Sequence, residues 1–566
     1  MDIASWINFE ASYSTEFREI SSGSYSPYDT YTLGGTDPSG ITYSLGSLSE
    51  NTSERNVQQV QTTLNLNGRF GDITAKGKIS YLYENSTIHN VNTSGFDFGI
   101  RDLPTLSAIP TANISSSNYQ QEVIASNYFF IGSLDYKDKI LFDGMFRIDG
   151  SSLFGENERW NNYYRVSGGY RITEDLDIPN VQELKIRGAY GVAGIRPGFD
   201  WQYETYSVSN GIASASTLGN KNLKPSRTAE TEVAINAEFL NRFTLEAIYA
   251  NSVTSDQFLS VRLLPIAGGF SSQYQNAGAI ESNTFEFNLG VNVIKSENLT
   301  WDANVVFSRT RQTVTELPIA PYTFGTDGLF YVKEGETYGS IYGNTWVKSL
   351  DAMSQQLPEG RTIADYEINS EGYVVRAGSQ GTTGEAPVKL KDSNGLDAFV
   401  KIGDGNPDFY AGFSNTIRYK GFTAYVLLDI KEGGDVYNRK SQWLTRDDRN
   451  GIMDQFGKPD SEKKALEYYK GFYDVNSNNS YWVEDASFVK LREVALGYTF
   501  TATQLQNFFG FDAFKGASLR AIGRNLVTFT GYSGYDPEVG SIRNPVDGTG
   551  TYPNFRNYAL SLSLNF

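Results

Sequence analysis

Three observations predict an all-β chain folded as an antiparallel transmembrane β-barrel. Apolar residues recur at every second position, the gaps between such runs alternate short and long, and the chain ends on an amphipathic strand closing with Phe566. The clearest run is Thr284 to Ile294: Phe285, Phe287, Leu289, Val291 and Val293 share one face, and Thr284, Glu286, Asn288, Gly290 and Asn292 share the other. Leu64, Leu66, Gly68 and Phe70 oppose Thr63, Asn65, Asn67 and Arg69 in the same way. Val233, Ile235, Ala237 and Phe239 oppose Glu232, Ala234, Asn236 and Glu238, and Trp301, Ala303, Val305 and Phe307 repeat the pattern. About 16 such strands are expected.

Short gaps fall at Gly71 to Asp72, Tyr136 to Asp138, Leu240 to Asn241, Lys295 to Glu297 and Lys420 to Gly421. Long gaps fall at Ser86 to Gln121, Ile195 to Pro225, Thr254 to Gln275, Thr313 to Pro407, Gly433 to Tyr481 and Thr530 to Pro553. Tight turns on one side and elaborate loops on the other are the asymmetry of outer-membrane barrels, and a soluble sandwich has no reason to keep it. The terminal strand Asn554 to Phe566 alternates Tyr558, Leu560, Leu562 and Leu564 with Ala559, Ser561, Ser563 and Asn565, and an even strand count puts both ends in the periplasm. One helix is expected, over Ser461 to Phe472 (SEKKALEYYKGF), with Lys463, Lys464, Glu467 and Lys470 as a solvated face.

Composition excludes several classes. The 566 residues carry 48 Lys and Arg against 65 Asp and Glu, a net charge of −17, with no Cys, one His, 37 Tyr, 35 Phe and 7 Trp. Without Cys there is no disulfide framework, thiol nucleophile or thiolate metal site, and a single His excludes multi-His metal centres. No cluster of Lys and Arg matches the negative charge of a phosphate backbone, so nucleic acid is not an expected partner. No stretch of about 18 apolar residues supports a transmembrane helix. The mean hydropathy of −0.39 leaves a barrel open, because its strands need only every second residue apolar. The opening MDIASWINFE has no signal-peptide pattern, so either the chain is cytosolic or its beginning is missing. Tyr and Trp at strand ends suit the interfacial girdle of a barrel.

Five motifs, the last made of two segments, carry a family resemblance. LFDGMFRIDGSSLFGENERW (Leu141 to Trp160) includes Arg147, Asp149, Gly150, Ser151 and Ser152. It is followed by LKIRGAYGVAG (Leu184 to Gly194) and GNKNLKP (Gly219 to Pro225). IGDGNPDFYAGFSNTIRYKGF (Ile402 to Phe422) includes Asn406 and Pro407. The last match is VEDASFVKLREVALGY (Val483 to Tyr498) with RNLVTFTGYSGYDP (Arg524 to Pro537), which includes Asn525, Asp536 and Pro537. In this order the segments resemble the SusC/RagA-like TonB-dependent outer-membrane transporters, with Ala189 where the family has Ser and Ser226 where it has Glu. Locally they mark fold: Gly150, Gly155, Gly191 and Gly194 are expected to supply turn dihedrals, and Pro407 and Pro537 to stop strands.

The resemblance implies a 22-strand barrel with an N-terminal plug. Residues 1–566 would then be its C-terminal portion, with the plug and about six strands missing. It implies import of oligosaccharides or peptides under a SusD-like lipoprotein lid, energised by TonB, ExbB and ExbD through the plug. It also implies insertion into outer-membrane lipid of a Gram-negative bacterium by the barrel-assembly machinery, which reads the terminal Phe566.

For cargo, aromatic platforms with polar neighbours are expected where loops converge, which singles out Trp201, Trp346 and Trp443. A loop Trp equally packs its own loop, contacts the lid or sits in the girdle. Asp392, Asn394 and Asp397 in KDSNGLD are calcium candidates by composition, against an Asx-rich turn; Gly395 is fourth from Asp392 and Gly403 twelfth, unlike an EF-hand loop. No other cofactor is expected and the chain is not read as an enzyme. The alternatives are a passive porin or surface adhesin, and a hydrolase resting on His89 beside Ser86, Thr87 and Thr93.

Overall fold

The computed structural model describes residues 2–33, 41–209, 211–264, 268–474, 477–510, 514–540, 546–548, 550, 552 and 554–566. Sixteen long strands run through them. They are β1 (Ile7–Ser26), β2 (Ser47–Phe70), β3 (Ile73–Phe96), β4 (Ile114–Tyr136), β5 (Ile140–Ser151), β6 (Trp160–Arg171), β7 (Val181–Ile195) and β8 (Ser226–Phe239). There follow β9 (Phe243–Ser255), β10 (Ala279–Lys295), β11 (Leu299–Glu316), β12 (Pro407–Tyr419), β13 (Phe422–Gly433), β14 (Phe488–Thr501), β15 (Gly516–Thr530) and β16 (Asn557–Asn565). With the short strand Asp2–Ala4 they form one 17-stranded sheet, in agreement with the expected number. The chain divides into two compact units: residues 1–169, 189–229 and 255–277, and residues 170–188, 230–254 and 278–566.

In the first unit, β1 to β5 are consecutive antiparallel neighbours. The expected gap at Ser86 to Gln121 is mostly ladder: β3 and β4 stay in register from Ile73 opposite Tyr136 to Gly95 opposite Ile114. Alternation is lost in ENSTIHNVNTS because both faces there are polar, while the main-chain bonds between strands continue regardless. A 24-residue strand is roughly 79 Å long at about 3.3 Å per residue, far beyond the 9–11 residues that cross a bilayer. The loops of this unit carry a four-stranded sheet of Thr205–Ser209, Ile212–Leu218, Ser272–Asn276 and Phe258–Arg262.

In the second unit, β9 to β16 pair in chain order. The anticipated apolar face is continuous here. Phe287 lies opposite Phe307, Leu289 opposite Val305, Val305 opposite Phe413, and Phe413 opposite Leu428. The turns fall where predicted. Lys420 and Gly421 bend β12 into β13 with φ of 45° and 92°, the positive pair that a two-residue hairpin with native twist requires.

Loops of the second unit bury their own core of Leu329, Phe330, Trp346, Tyr373, Tyr468 and Phe472 among others. They contain α1 (Leu350–Ser354), α2 (Arg439–Arg446) and α3 (Leu466–Lys470), while α4 (Ala502–Phe509) joins β14 to β15. The helix expected over Ser461 to Phe472 shrinks to α3, and its solvated face is corrected at Lys464, which is wholly buried against Glu385.

Candidate functional site

The family-like segments converge into two latches where loops leave the wall. In the first unit, Arg147 and Asp149 stand two apart on β5 and so on one side. Arg147 donates to Asn127 Oδ1 at 2.7 Å and lies 3.4 Å from Asp149, whose Oδ1 also accepts from Arg196 at 2.6 Å. Asn127 and Gln59 both donate to Glu84, extending the network over four strands. The Ser152 hydroxyl accepts the Ile124 N–H at 3.0 Å, and the Ser151 hydroxyl accepts that of Leu153 at 3.2 Å. Arg159 gathers the carbonyls of Ser152 and Phe154 at 2.7 and 2.9 Å.

The 151–159 loop then binds GNKNLKP directly: the Gly155 N–H donates to Leu223 O at 2.8 Å and the Asn157 N–H to Lys221 O at 3.1 Å, over fully buried Phe154 and Leu223. Gly150, Gly155 and Gly194 serve close approach and, like Gly191, have no positive φ, which corrects the turn dihedrals expected for the four. A Cβ on Gly155 would lie 2.3 Å from Lys221 O, one on Gly150 2.5 Å from the Trp160 ring, and one on Gly194 2.3 Å from the Tyr163 hydroxyl.

In the second unit, Arg492 is an extra residue in β14: Leu491 and Glu493 pair with Leu428 and Leu427 of β13, skipping it. On the other side, Asn525, at φ 53°, and Leu526 are skipped in β15. This bulge aims Arg492 at Asp429 (2.7 Å) and Glu538. Lys490, nearly inaccessible, pairs with Asp536 at 2.7 Å and with Glu538, and Asn554 also donates to Asp536. Burial raises the Glu538 carboxyl, but Arg492 and Lys490 outweigh it and hold the group below the usual range. Pro537 sits between these two acids.

Asn406 donates to Tyr338 O at 2.9 Å and Asp404 Oδ1 at 2.7 Å, anchoring the start of β12. Pro407 opens that strand, with its carbonyl accepting from Arg311 at 2.6 Å. Phe566 is exposed, with its ring 5.3 Å from that of Phe514.

Charged side chains line the polar faces. Arg187 bonds Glu246 at 2.8 Å, and Arg520 and Arg524 flank Glu493 at 3.0 and 2.9 Å. A recess of about 490 Å³ is lined by Lys185, Arg187, Asn236, Glu238, Glu246 and Asn288. These amides and charges suit a hydrogen-bonding occupant.

The three tryptophans do not come together as a platform. Trp346 is corrected outright: it is 5% exposed, with Phe472 at 4.7 Å and Tyr373 at 6.2 Å, and fills the loop core. Trp201 is half-buried and stacks on Tyr274 at 4.1 Å in the loops of the first unit. Trp443, on α2, carries the Arg446 guanidinium 4.3 Å above its ring.

The calcium candidates are also otherwise engaged. Hydrogen bonds from Lys389 and Lys391, at 2.8 and 2.6 Å, hold the Asp397 carboxyl below its ordinary range, and Asp392 Oδ1 accepts the N–H groups of Asn394 and Leu396. That is the Asx turn, with Asp397 neutralised by ammonium groups where a cation would need it free. His89 lies within the β3 ladder between Glu54 and Gln120, so the strand top expected beside Ser86 and Thr87 is interior.

The model of the TonB-dependent receptor-like beta-barrel matches residues 4–378. The chain belongs to that family. This receptor barrel is 28% identical over 514 residues to TonB-dependent receptor P39 of Formosa agariphila, covering 80% of this chain and 47% of that protein. It is 26% identical over 462 residues to TonB-dependent receptor SusC of Bacteroides thetaiotaomicron, covering 77% and 43%. The chain thus spans about half the length of the curated relatives it matches. Its fold follows a chain of the RagAB peptide importer in its open-open state, with TM-score 0.78 and 19% identity, over 100% of this chain and 60% of the other. The SusC/RagA-like reading of the motifs therefore holds. Membership implies the outer membrane. No helix among the described residues is long and apolar enough to cross one, which says nothing of strands.

Proposed function

We propose that this receptor barrel supplies the wall and extracellular loops of a TonB-dependent importer of large nutrients, oligosaccharides or peptides. The observation that carries the reading is family membership joined to a sheet with one apolar and one charged face. On this reading the apolar face meets lipid, and the charged recesses line the lumen, where they hold a plug and the passing cargo.

The plug and further strands come from the rest of a longer protein. Among the described residues, the Asp2–Ala4 strand meets β1 at Asn8 and Ile7 and β16 has its ladder with β15, and on this reading further strands continue the sheet. Unpaired main chain is not tolerated in hydrocarbon. TonB, ExbB and ExbD act through the plug, a SusD-like lipoprotein covers the loops, and Trp201 and Trp443 contact cargo or lid.

The test is uptake of labelled oligosaccharides and peptides in cells lacking the gene, in the presence and absence of TonB, with co-purification of lipoproteins on a tagged protein. Uptake lost on removing either the gene or TonB supports the reading. Uptake that persists without TonB makes the barrel a passive porin. No change for any cargo removes the transport claim.

A further inference from the structure

Between the hairpin loop 366–385 and α3 lies a buried polar cluster. Lys464 and Glu385 have side chains 0% exposed, with Nζ donating to Oε1 at 2.6 Å. Buried Asn369 donates from Nδ2 to the same Oε1 at 2.9 Å and to the Tyr468 hydroxyl at 3.0 Å. Its Oδ1 accepts the backbone N–H groups of Glu371 and Tyr373 at 3.1 and 2.9 Å, which identifies the oxygen end of the amide, since a nitrogen there could not accept. The other oxygen of Glu385 accepts the Gly381 N–H at 2.7 Å. Tyr468, Tyr373 and Phe472 belong to the surrounding aromatic core, and Lys464 Nζ lies 5.2 Å from the Tyr468 ring centroid.

We propose that this is a self-modification site, in which Lys464 Nζ attacks Asn369 Cγ to form an intramolecular isopeptide bond. The cluster supplies a nucleophile, a proton carrier shared with the leaving nitrogen, and donors to the amide oxygen. Glu385 Oε1, 2.6 Å from Nζ, is placed to take a proton from it at the start of the exchange. The amine is then a nucleophile beside a general base. As Nζ bonds to Cγ, the charge developing on Oδ1 falls on two backbone N–H groups already in place, an oxyanion hole built by the Asn369–Tyr373 turn.

Glu385 returns its proton to Nδ2, its existing hydrogen-bond partner, and the Cγ–Nδ2 bond breaks. The surplus proton on Nζ follows through the same carboxylate to the departing ammonia. The net change is one lysine ammonium and one primary amide giving one secondary amide and one ammonium ion, with no oxidant or cofactor. Nucleophile and leaving group both contact the one oxygen that serves them in turn. The product welds two long loops, and such a cross-link stabilises by restricting the unfolded chain.

The test is mass spectrometry of the full-length protein purified from outer membranes. The intact mass should be lower than the sequence mass by one ammonia, and digestion should release a branched peptide joining the Asn369 and Lys464 segments. Glu385→Gln should restore the full mass. Wild-type protein yielding only linear peptides with free Lys464 and Asn369 overturns the proposal, whether or not the variant folds. A deficit traced to cyclised Asn369–Ser370 also overturns it, and a full branched yield from Glu385→Gln removes the assigned base.

Discussion

Position 155 shows how much one hydrogen in place of a side chain can decide. The 151–159 loop reaches GNKNLKP through main-chain bonds, so a methyl at Gly155 meets backbone atoms at 2.3 and 2.6 Å that cannot rotate away. Gly155→Ala is expected to cost about 1–3 kcal/mol and loosen both loops, read as a lower unfolding temperature and new protease cuts near Lys221. At Lys490 the side chain is 2% exposed and answers two acids, so Lys490→Met leaves buried Asp536 without its cation. Loss of one partner of a buried pair costs about 3–5 kcal/mol, so this variant should accumulate less in outer membranes than Arg520→Met, which removes a half-exposed guanidinium and leaves Glu493 its Arg524 partner. Glu538 fixes the sign of the pH response. Its pKa is lower folded than unfolded, so its contribution is present above the ordinary Glu value of about 4.3 and fades as pH falls through the folded value. Melting curves from pH 7 downward should show the loss, and Glu538→Gln should flatten that part of the profile. Arg147, Asp149, Asn406 and Asp536 were legible as residues that matter, but their partners Arg196, Tyr338 and Asn554 are far along the chain and carry no local signal.

At the scale of elements, period-two alternation located the wall wherever one face is apolar, and it failed beyond Ser86, where Asn, Ser and Thr occupy both faces of β3. Hydrogen bonding, not burial, continues the strand there, and a hydrophobic pattern does not report it. Outside Ser461 to Phe472, where α3 falls, the helices were missed because they are short, yet α4 announces itself: Thr501 and Gln504 form a capping box, readable as T-x-x-Q. Face assignment gives a direct test on β16. Leu562 lies opposite Leu519 on the apolar side, and Ser563 opposite Ser518 on the polar side. Leu562→Arg should cost up to about 2–4 kcal/mol of membrane stability, whereas Ser563→Arg should assemble normally, as judged by heat-modifiable migration of the full-length protein.

For the whole molecule, assembly turns on what completes the sheet, on the reading that further strands belong to it. A sheet whose end strands lack partners in lipid leaves main-chain N–H and C=O groups unsatisfied. Residues 1–566 produced alone and directed to the outer membrane should therefore be degraded or aggregate, and co-production of the remainder of a full-length relative should rescue a heat-modifiable barrel. Heat-modifiable barrel from residues 1–566 alone would count against the missing strands.

The sequence by itself determined the fold class, the strand number, the turn positions, the apolar face of the strands and the family, because each is written in residues near one another or in ordered motifs. Tertiary structure alone decided that the motif glycines permit contact, that Asp397 belongs to two lysines, that Trp346 is core, and that Lys464, Glu385 and Asn369 meet. Those outcomes depend on loops folding back over long separations, and the desolvation, steric contact and charge pairing that result exist only once the distant partners are in place.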